Sequence, residues 1–386
     1  MTPAELLADP ALGAVLDALP QARLVGGSVR DVLAGRPVAD VDLATPELPD
    51  AVMRALASAG LKAVPTGIKH GTVTAVSDHR GFEVTTLRRD VTTDGRHAEV
   101  AWTDDWAVDA ARRDFTINAM SMARDGRVFD YFGGRDDLAA GRVRFVGEPA
   151  ARIAEDYLRI LRFFRFQARY GRQEPDSETI AAIQGGVDGL ARLSPERVWS
   201  EFKRILVAPA PARSIRLMQD LGVLPAILPG ADMDGLDRIA AGPADPILRL
   251  ASLRPDAGIA ERWRLSGTER ERLAAFAGPA PDPAWTDDAD VRRALADAPA
   301  DILVGRSWLQ DGEAGAAIRA RLSEAATPAF TLSGRDALAL GMPPGPAVGA
   351  LIRDVRAWWM QGGCVASAAS CRAELARRVA LAAPER

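Results

Sequence analysis

Asp40 and Asp42 stand one residue apart, shortly after the run GGSVRD at 26–31. Side chains at i and i+2 of a strand face the same side, so two acids so spaced point together. Mg²⁺ is commonly held by one or two carboxylates while a substrate's phosphates complete its oxygen shell. A pair of such ions can clamp an in-line phosphoryl displacement. Gly26 and Gly27 let the backbone approach a ligand closely, and the first amides of a following helix point at anions. Arg30, in the first turn of that helix, is within reach of a phosphate. The chemistry implied is a nucleoside triphosphate held on divalent metal. In the plainer alternative Asp31 is a helix-start charge and Asp40 a cap, and a lone DxD is usually a solvated turn.

The positioning elements are readable in outline. Residues 22–25 read as a strand ended by Gly26-Gly27, with Ser28 as N-cap of a short helix through Leu33. Residues 40–43 alternate polar and apolar as a half-buried strand does. A helix is expected over 50–59 and strands over 61–64, 71–76 and 81–87, the last two joined by a tight turn at 78–80. Residues 88–106 are polar, charged and broken by Gly95, and read as a mobile loop. After the run at 128–134 strand signals mostly stop and helical periodicity takes over. Breaks fall at 208–211, around Pro229 and at 278–283, and a last helical unit containing Trp358 and Trp359 follows 341–346. The fold class expected is α+β: a head with a mixed β-sheet and helices, then an all-helical remainder.

A second constellation lies in EDYLRILRFFRFQARY, residues 155–170. Leu158, Leu161, Phe164 and Ala168 recur at helical spacing as an apolar face, and Arg159, Arg162, Arg165 and Arg169 follow the same spacing on another. Asp156 is three residues before Arg159, a neighbour on a helix. One reading is a solvated charged face with a surface ion pair of little worth. The other is base recognition. Cytosine and adenine each present an amine donor beside a ring acceptor on the Watson–Crick edge, and an Asp acceptor beside an Arg donor matches both. Uracil and guanine present the reversed pattern and would leave buried groups unpaired. The remaining arginines could then hold triphosphate oxygens.

Composition sets the bounds. The chain has 386 residues, enough for two to four domains, and a formal net charge of −4. That argues against bulk polyanion binding, so any nucleic-acid contact must come from patches, of which the Arg-rich stretch 142–172 is the best. Only Lys62, Lys69 and Lys203 of the 48 basic residues are lysine, so arginine by itself is weak evidence and position must carry the argument. The three histidines are His70, His79 and His97, which excludes a His-Asp phosphohydrolase domain from the C-terminal three quarters. His97 has no clear catalytic task and reads as a loop-stabilising contact. Cys364 and Cys371 form no disulfide framework or zinc site. No apolar run is long enough to span a membrane, and the acidic, amphipathic start is unlike a signal peptide. A cytoplasmic protein is expected.

These runs resemble the class II tRNA nucleotidyltransferases, the CCA-adding enzymes, which share a superfamily with bacterial poly(A) polymerases. The resemblance rests on LVGGSVRDVLAGRPVADVDLAT (24–45), TGIKHGTVTAV (66–76), FEVTTLRRD (82–90), DGRHAEVAWTDDWAVDAARRDFTINAM (94–120), FDYFGGRDDL (129–138), VGEPAARIAEDYLRILRFFRFQARYG (146–171) and LSPERVWSEFKRIL (193–206). It is dense to about 206, thin over 207–330, and returns faintly at LSGRDALALGMPPGPAVGALI (332–352). The family implies a catalytic head at 1–135, a helical neck at 136–206, a helical body at 207–330 and a tRNA-binding tail at 331–386. It implies that Asp40 and Asp42 bind Mg²⁺, and that Gly27 and Arg30 contact the triphosphate. Arg113 would bind the nucleotide, with Asp114 touching its ribose. Asp156 and Arg159 would read the base, and Arg162 and Arg165 would contact the nucleotide, on its phosphates. Glu83 is either a third carboxylate or a solvent-facing strand residue.

The reaction implied is attack of a tRNA 3′-hydroxyl on the α-phosphorus of CTP or ATP, with pyrophosphate leaving and C, C and A added in turn. The segment 88–109 is the element expected to move between C and A addition. A poly(A) polymerase would share the head and the acids, but would be expected to word the 66–73 strand differently and often to carry a basic C-terminal extension. A DxD sugar transferase would explain Asp40 and Asp42 but not Arg113, Asp156 or Arg159.

Overall fold

A computed structural model describes residues 1–93 and 98–382. Chain contacts divide it into two compact units, Met1–Pro229 and Gly230–Arg386. The first unit opens with α1 (Pro3–Leu7) and α2 (Pro10–Ala18), then β1 (Arg23–Val25), α3 (Gly27–Leu33), β2 (Asp42–Thr45) and α4 (Pro49–Ser58). Next come β3 (Lys62–Gly67), β4 (Thr72–Ser77), β5 (Arg80–Thr86), β6 (Arg88–Thr93), β7 (Ala98–Trp102), α5 (Trp106–Ala111), β8 (Met120–Met122) and β9 (Val128–Asp130). Seven strands form one mixed sheet in the order β3-β4-β5-β2-β1-β8-β9, in which only β2 and β5 run parallel.

Alternation along the strands decides which side is core. Leu24, Leu43, Val73, Ala75, Phe82, Val84, Met120 and Met122 join Leu12, Leu16, Val29, Val32, Val52 and Leu56 from the helices in one buried cluster. Residues of the opposite parity are left on the other face, among them Asp42 and Glu83, which are direct partners in the parallel ladder. Val25, Ala44 and Leu87 form a small second cluster there with Trp106 against it. The sheet therefore presents a pair of carboxylates from its central strands on the face opposite the main core.

Several expectations need correcting. The strand expected at 40–43 begins only at Asp42: β1 turns away after Val25, and the ladder with β5 starts with Asp42 opposite Glu83. Asp40 lies in the preceding coil. The N-cap of α3 is Gly26, at φ +65°, not Ser28, whose hydroxyl donates to the Val25 carbonyl at 3.0 Å. The loop expected over 88–106 contains an antiparallel ribbon, β6 against β7, and α5 begins at Trp106. Gly95 and His97 lie outside the described residues. The turn at 78–80 forms as expected, with Asp78 at φ +47° and His79 at φ +59°, the left-handed pair that two-residue hairpins favour.

After the sheet come α6 (Gly134–Ala140), α7 (Pro149–Glu155), α8 (Leu158–Tyr170), α9 (Ser177–Gly186), α10 (Pro195–Leu206) and α11 (Pro211–Asp220). The buried face of α8 carries Leu158, Leu161, Phe163, Phe164, Phe166 and Ala168. Phe115 and Phe145 pack against Phe163, with Phe115–Phe145 centroids 4.8 Å apart and Phe145–Phe163 stacked at 5.9 Å. This aromatic cluster fixes α8 against the RRDFTINAM segment, so the arginines on the other side of α8 have defined positions.

The described part of the second unit is helical. One cluster gathers Val291, Leu295, Leu303, Ile318 and Leu322. Another gathers Leu332, Val348, Leu351, Val355, Trp359 and Leu375 around the long helix Pro346–Gln361. Cys364 and Cys371 are both buried free thiols. Among the described residues no helix is long and apolar enough to cross a membrane.

Candidate active site

A cleft of about 650 Å³ opens where α3, the start of β2, the segment after α5, and α8 face one another. Gly27, Arg30, Asp42, Arg113, Asp156, Arg159, Arg162 and Arg165 all line it. Asp40 does not line it, but its charge acts on Asp42. Residues far apart in sequence thus converge on one concavity.

The acidic side is electrostatically strained. The Asp42 carboxyl touches solvent yet lies in the concave wall, crowded by protein. Burial first, then the like charge of Glu83, push it above the usual aspartate range; Asp40 adds to this and Arg113 opposes it. Neither the Asp40 nor the Asp42 side chain has a hydrogen bond or ion pair with a described residue. No group of three His, Cys, Asp or Glu among the described residues is preassembled to hold an ion unaided. Two unpartnered carboxylates with a third opposite nonetheless suit a hard divalent cation whose other oxygens come from phosphates and water.

The basic side is held largely by built-in partners. Arg30 donates to Asn118 Oδ1 at 2.6 Å and to Asp31 at 2.9 Å. Asn118 in turn donates to Asp114 Oδ1 at 2.9 Å, and Arg162 Nε donates to Asp114 Oδ2 at 2.7 Å. Burial alone would raise the Asp114 carboxyl, but Arg162 and Asn118 outweigh it and hold it below the ordinary range. Arg113 reaches Asp109 at 3.5 Å and the Asn118 carbonyl at 3.4 Å. Arg165 Nε donates to the buried Glu201 at 2.6 Å and stacks 4.2 Å from the Phe166 ring centroid.

Asp156 and Arg159 are not a direct pair. The helix expected to run through 155–170 breaks between them: α7 ends at Glu155 and α8 begins at Leu158, with Asp156 extended at φ −156°. Asp156 Oδ1 caps the new helix by accepting from the Leu158 amide at 3.1 Å, and Oδ2 accepts from Arg197 at 2.6 Å. Arg159 is held by Glu155 and by the Arg152 carbonyl, the latter at 2.7 Å. Both side chains still line the same cleft.

Two family descriptions match, "Poly A polymerase head domain" over residues 22–144 and "Probable RNA and SrmB-binding site of polymerase A" over 174–234. Over 360 residues the chain is 38% identical to CCA tRNA nucleotidyltransferase 1, mitochondrial, of Homo sapiens, spanning 88% of this chain and 83% of that one. The chain belongs to the CCA-adding tRNA nucleotidyltransferases. It is 35% identical over 334 residues to the CCA-adding enzyme of Geobacillus stearothermophilus, spanning 84% of this chain and 76% of that one. A crystal structure of the Bacillus stearothermophilus CCA-adding enzyme in complex with CTP superposes with a TM-score of 0.75 at 26% identity, covering 97% of this chain and 99% of that one. CCA-adding enzymes are nucleotidyltransferases and generally metal-dependent.

Against that family background, sequence reasoning missed several cleft residues. Asn118, Arg197 and Arg88 line the cleft, and Glu201 braces it from behind. Each sits in one of the family-like runs, so the signal was present; what was missing was a reason to separate it from its neighbours. Gly26, also in the cleft wall, has a firm requirement. Its φ is +65°, and a Cβ there would lie 2.8 Å from Arg113 Nη1. Gly26→Ala is expected to lower the unfolding free energy by about 1–2 kcal/mol and to raise the KM for nucleotide by displacing Arg113. Denaturant titration and steady-state kinetics measure both.

Proposed function

We propose that this CCA-adding enzyme extends the 3′ end of tRNA by C, C and A from CTP and ATP, releasing pyrophosphate. The reading is carried by one juxtaposition: the unpartnered Asp42 carboxylate, with Asp40 and Glu83 acting on it, shares a cleft with Asp156, Arg159 and a wall of oriented guanidinium groups. It is supported by relatives named for CCA addition and by related structures described with CTP, ATP and tRNA.

In this reading Asp40 and Asp42 hold Mg²⁺, and Gly27 and Arg30 border the triphosphate. Bound there, the metal neutralises phosphate charge and favours ionisation of the attacking hydroxyl. Arg113, Arg162 and Arg165 orient the nucleotide through directed hydrogen bonds, already aimed by Asp109, Asp114 and Glu201. Asp156 and Arg159 meet the base edge. No side-chain nucleophile is needed, because positioning and charge stabilisation carry phosphoryl transfer. Head 1–135, neck 136–206, body 207–330 and tail 331–386 is the division of labour we propose, with the tail on tRNA. We assign the protein to the cytoplasm; relatives include mitochondrial forms, and fractionation of tagged chain is the check.

The test is incubation of purified chain with tRNA lacking its 3′ terminus and each labelled nucleotide singly, with Mg²⁺ or after chelation. Metal-dependent incorporation from CTP and ATP that stops after three nucleotides is expected. Long A tails would indicate a poly(A) polymerase, and absence of labelled RNA would refute the reading.

A further inference from the structure

A second basic concavity lies apart from the catalytic cleft. It has a volume of about 530 Å³ and is lined by Arg36, Arg135, Arg169 and Arg172 together with Tyr170 and Leu138, among others; no Asp or Glu lines it. It shares no lining residue with the cleft. Helix α3 turns Gly27 and Arg30 toward the cleft and Leu33 and Ala34 toward this cavity, one turn later. Helix α8 does the same with Phe166 and Tyr170.

The treatment of charge separates the two. In the cleft, Arg30, Arg113, Arg159, Arg162, Arg165 and Arg197 each have a carboxylate partner. In the second cavity none of the four arginines has an ion pair with a described residue. Arg36 Nη2 donates to the Arg169 carbonyl at 2.8 Å, and its guanidinium lies 4.7 Å from the Tyr170 ring centroid. Arg172 donates to the Ala139 carbonyl, and Arg169 Nε donates to the Tyr170 hydroxyl at 3.1 Å. Tyr170 itself donates to Asp31, already engaged by Arg30. Three head groups are thus anchored by single bonds, leaving most of each guanidinium's five donors available. The Arg135 side chain has no hydrogen bond to a described residue. Four uncompensated positive charges in one concavity stand out in a chain of net charge −4.

We propose that this cavity is a second anion site that takes phosphate oxygens. Arginine forks suit phosphate bidentately. The volume falls in the range of roughly 300–1,000 Å³ that small-ligand pockets occupy, so it holds more than a single phosphate group. The phosphates come either from a free polyphosphate or from successive positions of an RNA backbone.

The test uses the full chain and the double variant Arg135→Gln, Arg172→Gln, whose side chains are exposed. Tripolyphosphate binding is measured by calorimetry in chelator, and tRNA binding by filter retention across salt concentrations. At least one probe is expected to bind about tenfold more weakly to the variant, with the KM for CTP unchanged. If RNA is the source, tRNA affinity falls and the salt slope shrinks by roughly 0.7–0.9 for each phosphate that is no longer neutralised. If a free polyphosphate is the source, calorimetry loses one site while tRNA binding holds. A folded double variant that binds both probes as the unsubstituted chain does overturns the proposal. Should the double variant unfold, Arg135→Gln alone takes the same titrations, with a roughly threefold loss expected and no loss decisive against the site. The inference uses the functional reading only to choose tRNA as a probe. CTP and ATP incorporation by the unsubstituted chain is scored in parallel, so a failure of that reading is seen separately.

Discussion

Asp42→Asn is expected to slow nucleotide addition on the order of a thousandfold or more while leaving tRNA affinity within about twofold. A metal-bound phosphoryl group contributes several kcal/mol to the transition state, and each 1.36 kcal/mol is a factor of ten. The same substitution should leave the melting temperature in chelator unchanged or raise it. The sign follows from linkage. Burial, Glu83 and Asp40 raise the folded-state pKa of Asp42, so between the unfolded and folded values the native chain holds more protons than the unfolded one. Stability contributed by this group is therefore present at low pH and lost as pH rises through the raised value. At neutral pH, without metal, the ionised carboxylate works against the fold, and an amide relieves it. A large fall in melting temperature on Asp42→Asn would show that the acid is structural instead. The activity of the unsubstituted enzyme should rise with pH as Asp42 ionises. That limb should move to lower pH as divalent cation is increased, because the cation competes with the proton.

Asp156→Asn is expected to cut kcat/KM for CTP and ATP by about 10²- to 10⁴-fold and to narrow the preference over UTP. The amide oxygen can keep the cap on Leu158, so α8 survives. The second position changes from acceptor to donor, and a donor now faces the amine of cytosine or adenine while suiting the carbonyl of uracil. Arg159 remains a donor against the uracil ring N–H, so a full exchange of preference is not expected. Measuring kcat/KM for all four nucleotides decides the matter. An equal fall for all of them would mean that Asp156 acts only by ordering the helix start.

The outline of the head, Gly27, Arg30, Asp42 and the arginines of α8 were legible because they depend on local pattern, while Arg113 and Asp114 came only from the family resemblance. The alternation in β5 places Phe82 and Val84 in the core and Glu83 on the open face, and glycine spacing placed the turn before α3. The helix break at Asp156 was not legible. The apolar period runs through 155–170 without interruption, and the break is favoured by contacts from much later in the chain. Tyr157 packs where a Cβ on Gly189 would collide with its ring, and Arg197 takes Asp156 Oδ2. Strand β8 was missed for another reason. Met120–Met122 is only three residues long, so its Met-Ser-Met alternation is too short to stand out as a strand from the sequence around it. The ribbon of β6 and β7 was taken for a loop because its sequence is charged and a two-stranded ribbon needs little apolar patterning to announce itself.

The carboxylates already seated on the cleft arginines have a consequence for selectivity. If Asp156 and Arg159 read the base as proposed, a base arriving at Asp156 Oδ2 must evict Arg197, and one arriving at Arg159 must loosen Glu155. Those internal partners act as understudies for the base, so a nucleotide gains only the margin by which its edge outperforms them. In that reading a poorly matched base has almost no margin, and rejection is built into the protein's own ion pairs rather than added when substrate lands.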